Sequence, residues 1–315
     1  MADFIHLHNH SDFSLQDGAQ SVEMLCNRCD DLEMDSIALT EHGNLFSMIP
    51  FYKEARKRGL KPISGCEMYV SIGDHTEKKQ ITTSTGKKWG YNHLVLLVQN
   101  EVGYKNLMKL VSIGYLEGFY YRPRVDKSLL QKYNEGLICT SGCLAGEINQ
   151  YAAKDDYENA KRAALEYAEI FPNRFYLEIQ NHQIPEEYAS HSILKRLSSD
   201  LNIPLVATND CHYALKEHWE AHDVLFCLGT DKNRSDPNRV RYEPQQFYIK
   251  STDEMFDLFK DTPQALENTL KIAESCDLEI TMGEYHLPTF PIPGENGSGD
   301  GDVFLRSLCI AGLQR

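Results

Sequence analysis

Residue types that bind metal ions follow one apolar run of this chain after another. Two histidines end the first run, a third follows the second run, and an acid lies inside the third. An Asp-x-His pair follows a late run. Imidazole and carboxylate groups gathered in this way can hold several divalent cations, and such centres hydrolyse phosphate esters and other polar bonds. The residues concerned are His8, His10, His42, Glu67, Asp210 and His212.

The first apolar run carries the most specific pattern. His6, His8 and His10 alternate along it, so all three side chains point to one face of a strand. A lone histidine is more often a satisfied core or surface residue, but a His-x-His pair with further ligand types after later strands favours a metal site. Glu67 lies within an apolar run, where a buried carboxylate must be paired, protonated or bound to a metal.

Other candidates are less specific on their own. Asp17 precedes a glycine, as in an ordinary turn, and Cys143 fits a buried thiol as well as a ligand. His93 opens its run, whereas the other candidates end theirs, so a parallel strand does not explain how it would reach the site. Arg122 and Arg124 lie among tyrosines, which suits either a phosphate held beside a stacked base or a charged loop.

Seven β-like runs separated by helical patterns must position these residues. The alternation predicts a parallel sheet, and seven repeats favour a closed (β/α) barrel over an open one. The active sites of such barrels form at the carboxyl ends of the strands. The runs are 4–8, 36–40, 61–70, 93–99, 137–140, 175–180 and 204–208, and amphipathic helices are predicted at 21–32, 49–59, 155–171 and 185–201.

The pattern changes after residue 213, and it divides the chain. Helical patterns at 217–229, 253–259 and 263–277 predict a helical C-terminal extension. We expect one domain over 1–285, with its barrel core over about 1–213 and the extension over 214–285. A Pro/Gly-rich linker is predicted over 286–302, and 303–315 would start a further domain that is cut short. The polar stretch 74–92 is predicted to be a long loop or hairpin near the site.

Composition narrows the class of protein. The net charge of −14 over 315 residues argues against general binding of duplex DNA, which needs a basic face, although bound cations would make one pocket positive. Nine cysteines are too few for a secreted disulfide scaffold of this length, and Cys26 and Cys29 fall within a predicted helix, as core and surface residues and not as a metal site. Since no signal peptide or membrane-spanning stretch is visible, we expect a reduced, cytoplasmic protein without membrane contact.

Several motifs together resemble one family, the PHP (polymerase and histidinol phosphatase) domains at the N-terminus of bacterial DNA polymerase III α subunits. The resemblance extends from residue 4 to roughly residue 293. It rests on His6-Leu-His-Asn-His-Ser-Asp, Thr40-Glu-His-Gly-Asn, Asn134-Glu-Gly-Leu-Ile, Ala207-Thr-Asn-Asp-Cys-His-Tyr, Ser235-Asp-Pro-Asn-Arg and Leu287-Pro-Thr-Phe-Pro. It implies a distorted seven-stranded (β/α) barrel, in agreement with the strand count.

The resemblance also implies nine ligands for three divalent metal ions, zinc in the first place with manganese or iron as alternatives. His8, His10, Glu67 and Asp210 would hold the first metal. Glu67 would bridge to a second metal, bound also by His93 and Cys143, and a third would be held by Asp17, His42 and His212. Glu41 stands where the family often has Asp, outside the ligand set.

The activity implied is that of a metal-dependent 3′–5′ exonuclease that proofreads DNA synthesis. Its partners would be a single-stranded or frayed DNA 3′ end, the polymerase domains of a longer chain, and other replicase subunits such as the sliding clamp. Two alternatives stay open: a catalytically weak, metal-bound scaffold that supports a polymerase and docks partners, and a phosphomonoesterase of the histidinol phosphatase type. A complete ligand set favours the enzyme over the scaffold.

Overall fold

The computed structural model describes residues 4–15, 17–79, 90–285, 287–288, 290–292 and 299–314. The chain divides into two compact units, 1–279 and 280–315. Every predicted metal ligand belongs to the first unit. The described residues of the second unit include one helix, in the region where the sequence predicts a further domain.

The described residues form a mixed sheet of seven strands. The strands are β1 (Ser36–Leu39), β2 (Lys61–Ser71), β3 (Tyr91–Val98), β4 (Arg124–Val125), β5 (Leu137–Thr140), β6 (Phe175–Gln180) and β7 (Leu205–Thr208). Their order is β1-β2-β3-β5-β6-β7, with the short β4 paired to β2. Apart from β4, each strand coincides with a run predicted from the sequence.

The first apolar run is not a regular strand, but it lies between β1 and the end of β7. The amide of Ala38 donates to the carbonyl of His6 (3.0 Å), and the amide of His10 donates to the carbonyl of Cys211 (2.8 Å). Residues 4–10 therefore connect the two ends of the path formed by the six longer strands, and they are its seventh member, with the two-residue β4 lying off the path. This confirms the predicted fold class, a distorted seven-stranded (β/α) barrel.

The direction of β3 corrects the prediction of a parallel sheet. β3 runs antiparallel to both of its neighbours, β2 and β5, whereas β1–β2, β5–β6 and β6–β7 are parallel. The reversal arises because no crossover helix separates β2 from β3 among the described residues, so the chain returns along its neighbour. His93 at the start of β3 consequently lies at the same end of the barrel as residues that end parallel strands. Residues 80–89 of the predicted 74–92 loop lie outside the described residues.

Helices surround the sheet. They are α1 (Val22–Asp31), α2 (Met48–Lys57), α3 (Glu101–Leu116), α4 (Lys127–Lys132), α5 (Glu147–Ala152), α6 (Tyr157–Ile170), α7 (Pro185–Leu201), α8 (Trp219–Thr230), α9 (Thr252–Leu258), α10 (Pro263–Ser275) and α11 (Gly301–Leu313). The side chain of Ser21 caps α1 by accepting the amide of Met24, as expected for a serine at this position. Cys26 and Cys29 are buried in the core beneath α1.

One hydrophobic cluster joins α10 to the strands. Ile272, Ala273 and Cys276 share this cluster with Ile5 and with apolar residues of β1, β2, β3, β5 and β7. The hydroxyl of Thr269 on α10 also accepts the amide of Ile5 (3.1 Å). Helix α10 of the predicted extension is therefore part of the barrel's core.

The second unit is described by itself. The carboxylate of Asp300 caps α11 by accepting the amides of Asp302 and Val303, and the rings of Phe290 and Phe304 lie 6.1 Å apart. Within the described part of the chain, no helix combines the length and apolar character needed to cross a membrane.

Candidate metal centre

The structure brings all nine predicted ligands to one end of the barrel. The N-terminal segment carries two of them, and the others lie in β2, at the start of β3, and in the loops that follow the N-terminal segment, β1, β5 and β7. Parallel strands deliver side chains to this end at their carboxyl ends, and the antiparallel β3 does so at its start. The nine residues are His8, His10, Asp17, His42, Glu67, His93, Cys143, Asp210 and His212.

Glu67 is the centre of one half of the cluster. Its Oε1 lies 2.8 Å from Nδ1 of His93, 3.4 Å from Nε2 of His8 and 3.5 Å from Sγ of Cys143. Its Oε2 lies 2.5 Å from Nδ1 of His42. The two oxygens of this one carboxylate therefore face different sets of donors, which is the arrangement of a bridging ligand.

Asp210 is the centre of the other half. Its Oδ1 lies 3.1 Å from Nε2 of His10, 3.3 Å from Nε2 of His8 and 3.7 Å from Nδ1 of His212. Because the aspartate and the glutamate share His8 as a neighbour, the two halves form one continuous cluster.

Asp17 joins the cluster through its contacts with His42 and His212. Its carboxylate lies 3.2 Å from Nε2 of His42 and 4.0 Å from Nε2 of His212. The ring of His10 stacks on that of His42 at 3.9 Å. Asp17 belongs to the site although its sequence context is that of a turn; only the resemblance to the PHP family identified it in advance.

Donor atoms within 4.8 Å of one another form three overlapping groups at the site. Two of them differ from the sets that the resemblance implied, because His42 lies close to Glu67 and to His10 as well as to Asp17. The groups are His8–His10–Asp210, His42–Glu67–His93 and His10–His42–His212.

These side chains have buried polar atoms that contact mainly one another. Seven donor or acceptor atoms at the site have no partner with hydrogen-bond geometry in the described part of the protein, although several lie within ion-pair distance of another of the seven or of another ligand. A buried polar atom without a well-aligned partner costs about 1–3 kcal/mol, and a ligand that binds these atoms together would remove that cost. A cluster of divalent cations fits these imidazole, carboxylate and thiolate donors. The atoms are Nε2 of His8, His10 and His212, Nδ1 of His42, Oε2 of Glu67, and Oδ1 of Asp17 and Asp210.

In this buried cluster, burial and the charges of neighbouring ligands shift the pKa values of the side chains. Burial acts to raise the pKa of Glu67, but His93 and His42 hold it well below its ordinary range. Burial likewise acts to lower the pKa of His8, but the carboxylates of Asp210 and Glu178 raise it well above its ordinary value. Burial lowers the pKa of His10 to about 3, so this imidazole is neutral and ready to donate its lone pair.

Glu178 on β6 fixes the orientation of His8. Its Oε1 accepts from Nδ1 of His8 (2.7 Å) and from the hydroxyl of Thr208 (2.5 Å), while Oε2 accepts from the hydroxyl of Thr140. A carboxylate on one ring nitrogen sets the tautomer that leaves the other nitrogen free for a metal. The sequence contained a signal for Glu178, because it is an acid inside an apolar run, as Glu67 is.

Substitution of Glu178 by Gln should weaken metal binding by about 10- to 100-fold, the usual effect of losing such a supporting carboxylate. The amide would still fill the space, but it would no longer accept the proton of His8 with a full negative charge. A competition titration against a coloured chelator measures this affinity. Glu169→Gln, an exposed change on α6, is the matched control, and equal affinities in the two variants would contradict the role assigned to Glu178.

Glu41, which replaces the Asp common in the PHP family, holds the loop that follows the first run. Its Oε2 accepts from the hydroxyl of Ser14 (2.6 Å) and from the amide of Ser11 (3.1 Å). The Ser14 oxygen in turn lies 3.1 Å from Nδ1 of His10 and accepts the amide of His42 (3.0 Å). Glu41 thus positions two candidate ligands through one serine.

The loop after β7 holds Asp210 in an unusual conformation. Asp210 has a φ of 43°, in the left-handed region that non-glycine residues rarely adopt. The carbonyl of Asn209 accepts from Nε2 of His182 (2.8 Å), and its side-chain oxygen accepts from the ammonium group of Lys250 (3.0 Å). Nδ1 of His212 donates to the Asp210 carbonyl (2.8 Å). Strain of this kind persists where surrounding contacts over-determine it, and it often marks a functional site.

A cavity of about 760 Å³ opens onto the cluster. The positions of Arg122 and Arg124 relative to this cavity show which of them could bind a substrate there. Arg122 lines the cavity, with its guanidinium 5.7 Å from the centre of the Tyr69 ring. Arg124 must be corrected: it is 1% exposed and donates to the carbonyls of Gly118 (3.1 Å) and His75 (3.0 Å). Its guanidinium is committed to the backbone, so we no longer assign Arg124 to substrate binding.

Sequence reasoning missed Tyr242, whose hydroxyl donates to Oδ2 of Asp17 (3.3 Å). Tyr242 belongs to an arginine-containing loop between α8 and α9. Two of that loop's arginines, Arg234 and Arg239, pair with Asp223 at 3.0 and 2.5 Å. Their charges are therefore used to fold the loop.

Comparison with known proteins shows the family to which this chain belongs. A family model described as "PHP domain" matches residues 6–182. The DNA polymerase III subunit alpha of Borreliella burgdorferi is 48% identical over 313 residues, covering 99% of this chain and 27% of that protein. The protein of the same name from Campylobacter jejuni is 42% identical over 340 residues, covering 100% and 28%. This chain spans about a quarter of the length of these relatives.

Among solved structures, a two-domain protein from Bacteroides vulgatus described as containing a predicted PHP-like metal-dependent phosphoesterase aligns with a TM-score of 0.43. The alignment has 15% identity and covers 84% of this chain and 62% of that one.

Proposed function

Since the chain belongs to the PHP domain family, we propose that it is the PHP domain of a cytoplasmic DNA polymerase III α subunit and acts as a metal-dependent 3′–5′ exonuclease. The observation that carries the proposal is the convergence of nine donor side chains in one cluster, five of which line an open cavity. A metal-bound scaffold would need the donors, but it would not need a cavity that gives a substrate access to them.

The reaction proposed is hydrolysis of the last phosphodiester bond of a DNA strand. Water attacks phosphorus, the bond to the 3′ oxygen of the preceding nucleotide breaks, and that oxygen takes a proton. The products are a nucleoside 5′-monophosphate and a strand with a new 3′ hydroxyl. The nine ligands would hold divalent metal ions: the family resemblance implies three ions, and the donor types suit zinc, manganese or iron. These ions would lower the pKa of the attacking water and neutralise charge on the phosphate and on the leaving oxygen.

The protein's own residues have two tasks in this proposal. Glu178 and Glu41 orient the ligand histidines, so that the donors are in place before the substrate arrives. Arg122 carries a permanent positive charge into the cavity, where it can pair with a phosphate. The partners implied by the family resemblance, which are the polymerase domains of a longer chain and other replicase subunits such as the sliding clamp, belong to this proposal as well.

The activity can be tested with a single strand that carries a radioactive 3′-terminal nucleotide. We expect release of the labelled mononucleotide in the presence of zinc or manganese, and faster release from a single strand or a mismatched end than from a fully paired duplex. Hydrolysis of p-nitrophenyl phosphate but of no strand would favour the phosphomonoesterase alternative. Bound metal without hydrolysis of either substrate would favour the scaffold.

A further inference from the structure

One wall of the cavity is built from aromatic side chains that the described residues leave exposed. Phe46, after β1, is 56% exposed, and Tyr121, after α3, is 71% exposed. Tyr115 and Phe119 are exposed as well. All four side chains line the cavity, and together they are called the aromatic wall below. Large apolar rings are usually buried, so four of them around one opening point to a ligand.

Rings contact one another in two groups, one among the exposed residues of the aromatic wall and one beside the metal centre. The rings of Phe46 and Tyr115 lie 6.1 Å apart, and Tyr115 stacks on Phe119 at 6.1 Å. Further in, Tyr69 lies 5.2 Å from the ring of His93, with the guanidinium of Arg122 over it. A ligand along this wall would meet flat apolar faces first, then a positive charge, then the metal ligands.

The backbone is arranged to create this wall. A Cβ atom on Gly118 would lie 1.9 Å from the carbonyl oxygen of Arg124, so only glycine lets the end of α3 approach the following segment so closely. Tyr121 has a φ of 59°, in the left-handed region. This strain and this close approach shape the segment that brings Tyr121 and Arg122 to the cavity that Tyr115 and Phe119 also line.

Charge determines which ligand fits. With a net charge of −14, the chain cannot draw a polyanion by a general positive field. Stacking of a base on an aromatic side chain contributes about 1–3 kcal/mol and needs no net charge, but it requires a base that is not already stacked in a duplex. Arg122 then supplies a positive charge for the phosphate between stacked bases.

We propose that the aromatic wall stacks the unpaired bases at the 3′ end of a DNA strand and so selects single-stranded or frayed ends for the metal centre. This inference rests on the proposed nuclease function. It names the residues that recognise the substrate. It also implies that strand ends are selected by the free energy needed to unpair them, which is lowest for single-stranded and mismatched ends.

The test compares an ordinary strand with one that lacks bases. Binding of 5′-fluorescein decathymidylate is measured by fluorescence anisotropy in an Asp210→Asn background, beside the same strand with abasic sugars at its last two positions. We expect Phe46→Ala/Tyr115→Ala to weaken binding of the ordinary strand by about 5- to 150-fold, which corresponds to 1–3 kcal/mol. Binding of the abasic strand should hardly change, since it has no terminal bases to stack.

Two control variants make the outcome decisive. Phe46→Trp should retain the preference for the ordinary strand, and Tyr188→Ala, which removes an exposed ring outside the cavity, should bind both strands as its parent does. If the double variant weakens both strands equally, or neither, the wall does not stack bases and the inference fails. Failure of the nuclease function itself would appear separately, as absence of hydrolysis in the wild-type chain.

Discussion

Replacing Asp210 by Asn should reduce release of a 3′-terminal nucleotide by at least about 1000-fold. The substitution removes the negative charge that His8, His10 and His212 share, and with it one oxygen donor to the proposed metals. Loss of about 4 kcal/mol of transition-state stabilisation corresponds to a thousandfold loss of rate, and metal centres contribute several kcal/mol. Initial rates on the 3′-labelled single strand measure the effect.

Asparagine is the informative replacement at this position. Asp210 has a positive φ, which asparagine tolerates better than other non-glycine residues, so the loop should keep its shape. His8→Ala should cause a comparable loss, and the exposed change Asp31→Asn on α1 should cause none. Vigorous hydrolysis by both Asp210→Asn and His8→Ala would show that this cluster is not the catalytic centre.

The barrel could be predicted from the sequence because its strands are buried apolar runs separated by helices. The direction of β3 could not, because an apolar run looks the same in either direction and direction depends on the connection that precedes it. That one reversal explains His93, which seemed misplaced at the start of its run and lies 2.8 Å from Glu67 in the structure.

The site was predictable to the extent that its residues carry local signals. His8, His10 and Glu67 stand out by alternation or by their apolar surroundings, whereas Asp17 and Cys143 look like ordinary loop residues and needed the family resemblance. Arg124 was misjudged because its neighbours in sequence are tyrosines, while its guanidinium meets backbone carbonyls that only the folded chain brings near. The residues next to an arginine in sequence do not show whether its guanidinium binds a substrate or donates to carbonyls of the protein's own backbone.

Removal of metal should lower the melting temperature by about 5 °C or more. A ligand that binds only the folded state stabilises it by about 2.7 kcal/mol when its concentration is 100 times its dissociation constant, and unsatisfied buried donors recover their cost at the same time. For a domain somewhat smaller than this one, 1 kcal/mol corresponds to roughly 2–4 °C. Calorimetry after chelator treatment, followed by back-titration with zinc or manganese, measures the shift, and elemental analysis should find about three metals per chain by analogy with the family.

The shift should also depend on pH in a definite direction. The pKa of His8 is raised well above its ordinary value by Asp210 and Glu178 against the opposing effect of burial, so a proton competes with the metal for this imidazole. Metal binding must displace that proton, and the gain in melting temperature should therefore grow between pH 6 and pH 8. Asp210→Asn should show a much smaller gain at every pH, because it lacks one of the donors that the metal joins. The prediction is contradicted if the folded chain contains no metal and its melting temperature changes neither with chelator nor with added metal. The nine side chains would then satisfy one another without cations, and the proposed hydrolytic function would lose its physical basis.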